Sequence, residues 1–186
     1  VIGTSRSGPD HVLDVVNPES VKAFAAALGD TAIDLLICNS GVYLDKGHAL
    51  GSGYDAENWA KTFAVNVTGV FLTVEALLPA IRRATGKIAI ISSQIGSSER
   101  ATGNALIYRS SKAAALNLGK NLAAGLRSDG IAVGIYHPGW VQTDMGGSTA
   151  DITVAESAEG LMTRFDALSG ETTGAFETWD GRAHPV

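Results

Sequence analysis

Tyr108-Arg109-Ser110-Ser111-Lys112 sets a phenol and an ammonium four positions apart. On a helix that spacing raises both groups from one face, a turn from each other. A tyrosine ordinarily ionises near pH ~10, and a cation held close by lowers that value by stabilising the phenolate. A phenol tuned in this way can give a proton to a carbonyl oxygen or take one from an alcohol. Taken alone, the pair reads equally as a surface helix whose lysine stem covers a half-buried ring, so its meaning depends on its surroundings.

For the pair to act, other elements must bring it to a ligand. Lys87-Ile88-Ala89-Ile90-Ile91-Ser92-Ser93 reads as a short buried strand of a parallel sheet, delivering two hydroxyls at its carboxyl end. Ligands of open α/β sheets sit beyond that end of the strands. Strand, serines, glycine-containing loop and Tyr-Lys helix thus follow in the order a site requires. Two more predicted strands end in similar sequences. Residues 32–39 run into Asn39-Ser40-Gly41, small groups that let backbone approach a ligand. Residues 131–136 run into His137-Pro138-Gly139, a turn facing the same side.

Pattern supplies the remaining elements. Residues 11–16 read as a short strand carrying Asp14, after which Asn17 caps a helix that opens at Pro18 and stops at Gly29. Residues 42–55 are polar and glycine-rich, a surface loop. Across 56–84, Trp59, Phe63, Val67, Val70, Phe71 and Val74 begin a helical stripe broad enough for two neighbours. The sheet is one; a second subunit, giving a homodimer or homotetramer, is the other. Thr153 and Glu156 form a capping box for a helix reaching Leu168, and Phe176-Glu177-Thr178-Trp179 is a closing strand. Strands alternating with helices imply one α/β domain over 1–186, a doubly wound parallel sheet covered on both faces.

With 186 residues, 45% hydrophobic and 18% charged, the chain can build a sizeable core. A net charge of −5 with scattered basic residues gives no footprint for nucleic acid or an anionic membrane. The uninterrupted apolar runs are too short for a membrane span or a signal peptide, so a cytoplasmic protein is expected. The single cysteine, Cys38, falls in a predicted strand and reads as a buried, inert thiol. The four histidines show no metal-ligand spacing, so no metal is expected. No histidine base accompanies Ser93 in a nucleophile-elbow motif, which argues against a hydrolase.

Asp14-Val15, Asn39-Ser40-Gly41, Asn66-Val67-Thr68-Gly69, Ser92-Ser93, Tyr108-x-x-x-Lys112 and Pro138-Gly139 followed by Thr143 stand in one order along the chain. That order resembles the short-chain dehydrogenase/reductase family, whose fold is Rossmann-like. The segment from His137 to Gly147 is similar to the carbonyl reductases of the C-factor and sniffer type. The resemblance implies that Tyr108 is the catalytic acid/base, that Lys112 lowers its pKa and holds the nicotinamide ribose, and that Ser93 polarises the substrate carbonyl. It implies that Asn66 holds a water for a proton relay. For the cofactor it implies Asp14 and Val15 around the adenine and Asn39, Ser40 and Gly41 along the backbone. Pro138, Gly139, Val141 and Thr143 would surround the nicotinamide amide and diphosphate. Arg6, among hydroxyls with no acid, suits the 2′-phosphate of NADP(H), with NAD the second candidate.

One departure matters. The family's first strand and its Thr-Gly-x-x-x-Gly-x-Gly turn have no counterpart, so the domain reads as N-terminally incomplete, with a gap expected between the segments near Val1 and near Leu36. Two functions follow: a reductase of a small or medium carbonyl substrate, or oxidiser of the matching alcohol, and a non-catalytic signalling or interaction protein of the same fold with weak or lost nucleotide binding. In the first, residues 42–55 and 146–153 are the lids and Leu44, Trp140 and Met145 the apolar walls.

Overall fold

Apolar runs pair into a parallel sheet in a computed structural model that describes residues 1–7 and 11–186. Its strands are β1 (Leu35–Cys38), β2 (Lys87–Ile91), β3 (Ala132–His137) and β4 (Phe176–Thr178), in the order β1-β2-β3-β4. All three pairings are parallel, with Cys38 opposite Ile90 and Ile91 opposite Tyr136. Every residue of β3 is buried, as a strand covered on both faces requires.

The helices are α1 (Pro18–Ala27), α2 (Ala56–Phe63), α3 (Gly69–Ala84), α4 (Leu106–Gly125) and α5 (Val154–Ala167). Strand alternation sorts them into two layers. Ile88, Ile90 and Val133 point to one side, where Val21 and Phe24 of α1, Val74 and Leu77 of α3 and Ala123 of α4 complete the main core. Ala89, Ile91 and Tyr136 point to the other, against Phe165 of α5. Both expected caps form. Asn17 Oδ1 accepts from the Glu19 and Ser20 N–H groups, and Thr153 with Glu156 makes the reciprocal capping box. Cys38 is buried in β1, and burial pushes its thiol up to about 12, which leaves it inert.

Residues 56–84 form one continuous helical run, with α2 passing through a π-helical stretch, Ala64–Thr68, into α3. This run of 29 residues, with an 18-residue window of mean hydropathy 1.7, is long and apolar enough to cross a membrane, which the short uninterrupted runs did not suggest. Here its buried residues, among them Val70, Val74, Leu77 and Ile81, pack on the sheet core.

The chain differs from expectation at its start. Residues 11–16 make no strand; Val12 forms a single parallel bridge with Ser5. Asp14 is the reason, because its Oδ1 accepts from Val16 N–H and its carbonyl accepts from Asn17 N–H, turning the backbone toward α1. Between this segment and the outer edge of β1 lies a cavity of about 530 Å³, lined by Val1, Ile2 and Thr4 on one side and Leu35, Leu36 and Ile37 on the other.

Candidate functional site

The site begins where β2 ends. Ser92 Oγ donates to Lys112 O at 2.9 Å, and Lys112 Nζ donates to Ile91 O at 2.9 Å. These two buried bonds fix one turn of α4 against the end of the strand. They also separate the roles of the paired serines. Ser92 is committed to backbone, whereas Ser93 is near enough to the Tyr108 phenol to favour its ionised form. Ser93 Oγ also accepts from Ile95 N–H at 3.4 Å, a long contact that shapes the turn after β2.

Tyr108 and Lys112 rise from the same side of α4, with Nζ 5.7 Å from the ring centroid. The expected tuning does not follow. Burial pushes the Tyr108 hydroxyl up to about 12; Ser93 favours its ionised form, but less strongly than burial opposes it. Burial also pulls Lys112 down from 10.5 to about 8. The low-dielectric setting therefore acts against both charges, and the phenol stays protonated through the neutral range. Of the three donors on Nζ, one meets Ile91 O within the described residues.

Asn66 sits in the π-helical stretch, almost fully buried. Its Oδ1 accepts from Val42 N–H at 2.8 Å, while Nδ2 donates to Val42 O at 3.0 Å and Ser111 Oγ at 2.9 Å. Both amide N–H groups are occupied, so the side chain clamps the loop after β1 to α4 and has no donor left for the expected relay water. Gly41 lies between these groups: a Cβ there would make ordinary contacts, 3.4 Å from Lys112 Nζ and 3.6 Å from Asn66 Oδ1. Asn39 and Ser40 are exposed at the carboxyl end of β1.

The other predicted positions are spread around this centre. Val15, Asn39 and Ser40 line the cavity beside β1; Asp14 and the exposed Arg6 do not. Pro138 and Gly139 follow β3, where Ser157 Oγ of α5 donates to Pro138 O at 2.6 Å. Val141 bridges to Ile152, and Thr143 Oγ1 donates to Val141 O and accepts from Gly146 N–H. Leu44, Trp140 and Met145 are partly exposed. From the first expected lid, Lys46 Nζ donates to Met145 O at 3.2 Å, one residue before the second lid begins.

Sequence reasoning missed Tyr43 and Asp45 by reading residues 42–55 as a surface loop. Tyr43 stacks on the Tyr108 ring with centroids 4.4 Å apart, and Asp45 is fully buried with its carboxylate on the first turn of α4. An acid directly after the apolar and aromatic run Val42-Tyr43-Leu44 was the available signal, but it named no partner.

Residues 11–152 match the family model described as short chain dehydrogenase. The chain belongs to that family. It is 36% identical over 167 residues to the C-signal of Myxococcus xanthus, covering 89% of this chain and 99% of that protein. A crystal structure of NADPH-bound carbonyl reductase from chicken fatty liver superposes with a TM-score of 0.88 at 32% identity, over 95% of this chain and 76% of that one. The carbonyl reductase Sniffer of D. melanogaster gives a TM-score of 0.88 at 26% identity, over 94% and 77%.

The Lys112 geometry has a consequence for stability. Its folded value lies below its ordinary one, so between pH ~8 and ~10.5 the unfolded chain holds the extra proton and stability rises with pH. Below about 8 the folded protein bears the whole penalty of the buried charge, on the order of 3 kcal/mol. Lys112→Met should therefore stabilise the fold by about 1–2 kcal/mol at pH 7, allowing for the lost bond to Ile91 O. Urea denaturation should show that gain shrinking toward pH ~10; a variant less stable than the parent at pH 7 would contradict the reading.

Proposed function

We propose that this protein is an NADPH-dependent carbonyl reductase acting on a small or medium ketone or aldehyde, with NADH as a second possible donor to be tested. The observation that carries the reading is the convergence of Ser93, protonated Tyr108 and Lys112 at the carboxyl end of the sheet. A phenol that burial keeps neutral is an acid, the form a reduction needs. Ser93 would donate to the substrate oxygen and so polarise the carbonyl. Tyr108 would then pass its proton to that oxygen as negative charge develops there. Lys112 would stabilise the phenolate left behind.

The residues fit the nicotinamide-ribose end of a dinucleotide. Lys112 Nζ has donors to spare, Gly41 leaves its approach open, and Asn39 and Ser40 present accessible polar groups beside it. When bound, the nicotinamide supplies the hydride that adds to the carbonyl carbon. Val15 and the cavity beside β1 would accept the adenine side, with Arg6 and Thr4 toward the 2′-phosphate; Pro138, Gly139, Val141 and Thr143 would close over the nicotinamide. Among the described residues no glycine turn leading into a helix stands beside β1. The solved carbonyl reductase of the same fold that carries NADPH supports the choice of cofactor.

A second reading has its own support. The C-signal is matched over 99% of its length, which favours a signalling or interaction protein with weak or lost nucleotide binding. A homodimer or homotetramer through the outer face of the 56–84 helical run, where Phe71 is exposed, would serve either reading; sedimentation showing only monomer would remove it.

NADPH oxidation followed at 340 nm over a carbonyl panel, with calorimetric NADPH binding in parallel, decides between the two. Turnover is expected with NADPH above NADH, and Tyr108→Phe should lower kcat by about 10²–10⁴-fold while leaving NADPH affinity within about threefold. Absence of NADPH binding, or a Tyr108→Phe variant as active as its parent, would discard the reductase reading.

A further inference from the structure

Helix α4 starts badly by its own sequence. Its cap position, Ala105, has a left-handed backbone with φ of 48° and offers no capping side chain, and its first turn holds no acid. The first N–H groups of a helix need partners, and a buried helix end without them is costly. Here the partner comes from more than 60 residues away: Asp45 Oδ2 accepts from Ile107 N–H at 2.8 Å, and Oδ1 accepts from Tyr108 N–H at 3.2 Å. Asp45 is fully buried and forms no salt bridge among the described residues. Its charge is met by the backbone at the positive end of α4.

Two residues earlier, Tyr43 stacks on the Tyr108 ring at 22° between planes. One residue before that, Val42 is held through both backbone polar groups by Asn66. Residues 42–45 are thus fixed at three points, of which two are Tyr108 itself: its ring face and its backbone N–H.

We infer that Asp45 is a positioning residue for Tyr108, setting the height and direction of the phenol by capping the turn of α4 that carries it while Tyr43 steadies the ring. This rests on reading Tyr108 as the proton donor. A loop expected to serve only as a substrate lid is, on this account, also the mount of the acid. Loss of the mount leaves the phenol chemically intact and badly aimed, and misplacement by a fraction of an ångström is enough to slow proton transfer.

The test uses the whole chain with NADPH. Asp45→Ala should lower kcat by about 10-fold or more with NADPH affinity unchanged within about twofold. Asp45→Asn should recover turnover only in part, to a level between Asp45→Ala and the parent, because its single amide oxygen can keep the bond from Ile107 N–H while its NH2 cannot accept from Tyr108 N–H. A merely structural cap would lower the thermal midpoint of Asp45→Ala and leave kcat per folded molecule where it was, and that result overturns the inference. A second readout is independent of turnover. In protein labelled with ¹³C at the tyrosine rings, the Tyr108 signal, assigned by its loss in Tyr108→Phe, should move toward the free-tyrosine position in Asp45→Ala. If the parent shows no reduction, the catalytic reading falls while this signal still tells whether Asp45 holds the ring; an unmoved signal overturns the placement. Should Asp45→Ala not fold, Tyr43→Leu decides on the same readouts, with the ring signal shifted and kcat down about fivefold, and both unchanged overturning the account.

Discussion

Two hydrogen bonds between β2 and α4 hold the rest of the site in place. Ser92 Oγ to Lys112 O and Lys112 Nζ to Ile91 O run in opposite directions across one interface, both 2.9 Å long and both out of water. Buried polar groups of this kind are expensive to leave unmade, so together they select which turn of the helix meets the strand end. A shift of one residue along α4 would break both. Gly119 works with them farther down, where a Cβ would come within 2.5 Å of Ile135; its absence lets the helix lie close on the sheet. With that register set, Tyr108 stands one turn from Lys112 and faces Ser93.

The electrostatics then follow from depth. In water an ammonium a turn from a phenol would ease its ionisation, but inside this site desolvation outweighs the attraction for both groups. The pair is a neutral acid beside a weakened cation. On the proposed reductase reading, such a phenol would give its proton up when a negative oxygen forms beside it, and Lys112 would contribute most at that moment, when there is a charge to stabilise. The arrangement costs the resting fold some stability, as functional sites commonly do.

Much of the fold was legible because its signals are local. The apolar runs at 87–91 and 132–136, the Asn17 and Thr153 caps and the Tyr-x-x-x-Lys spacing each fit within a few residues, and each was found where expected. Of the paired serines, Ser92 is spent on Lys112 O. What escaped depends on contacts between distant segments. Nothing near Asp45 announces a helix that starts more than 60 residues later, and nothing in the sequence around Asn66 shows that Val42 and Ser111 occupy its amide. The strand expected over 11–16 failed for a different reason: Asp14 bonds its own backbone and turns the chain, a local competitor that the apolar pattern outvoted on paper.

The central claim is that burial, rather than the neighbouring lysine, sets the protonation of Tyr108. Titration of phenolate absorbance near 295 nm, taken as the difference between the protein and its Tyr108→Phe variant, reads that quantity directly. The account predicts a midpoint far above that of free tyrosine, toward 12. Ionisation at or below pH ~9 would mean that the ammonium prevails over desolvation, and the account would be wrong.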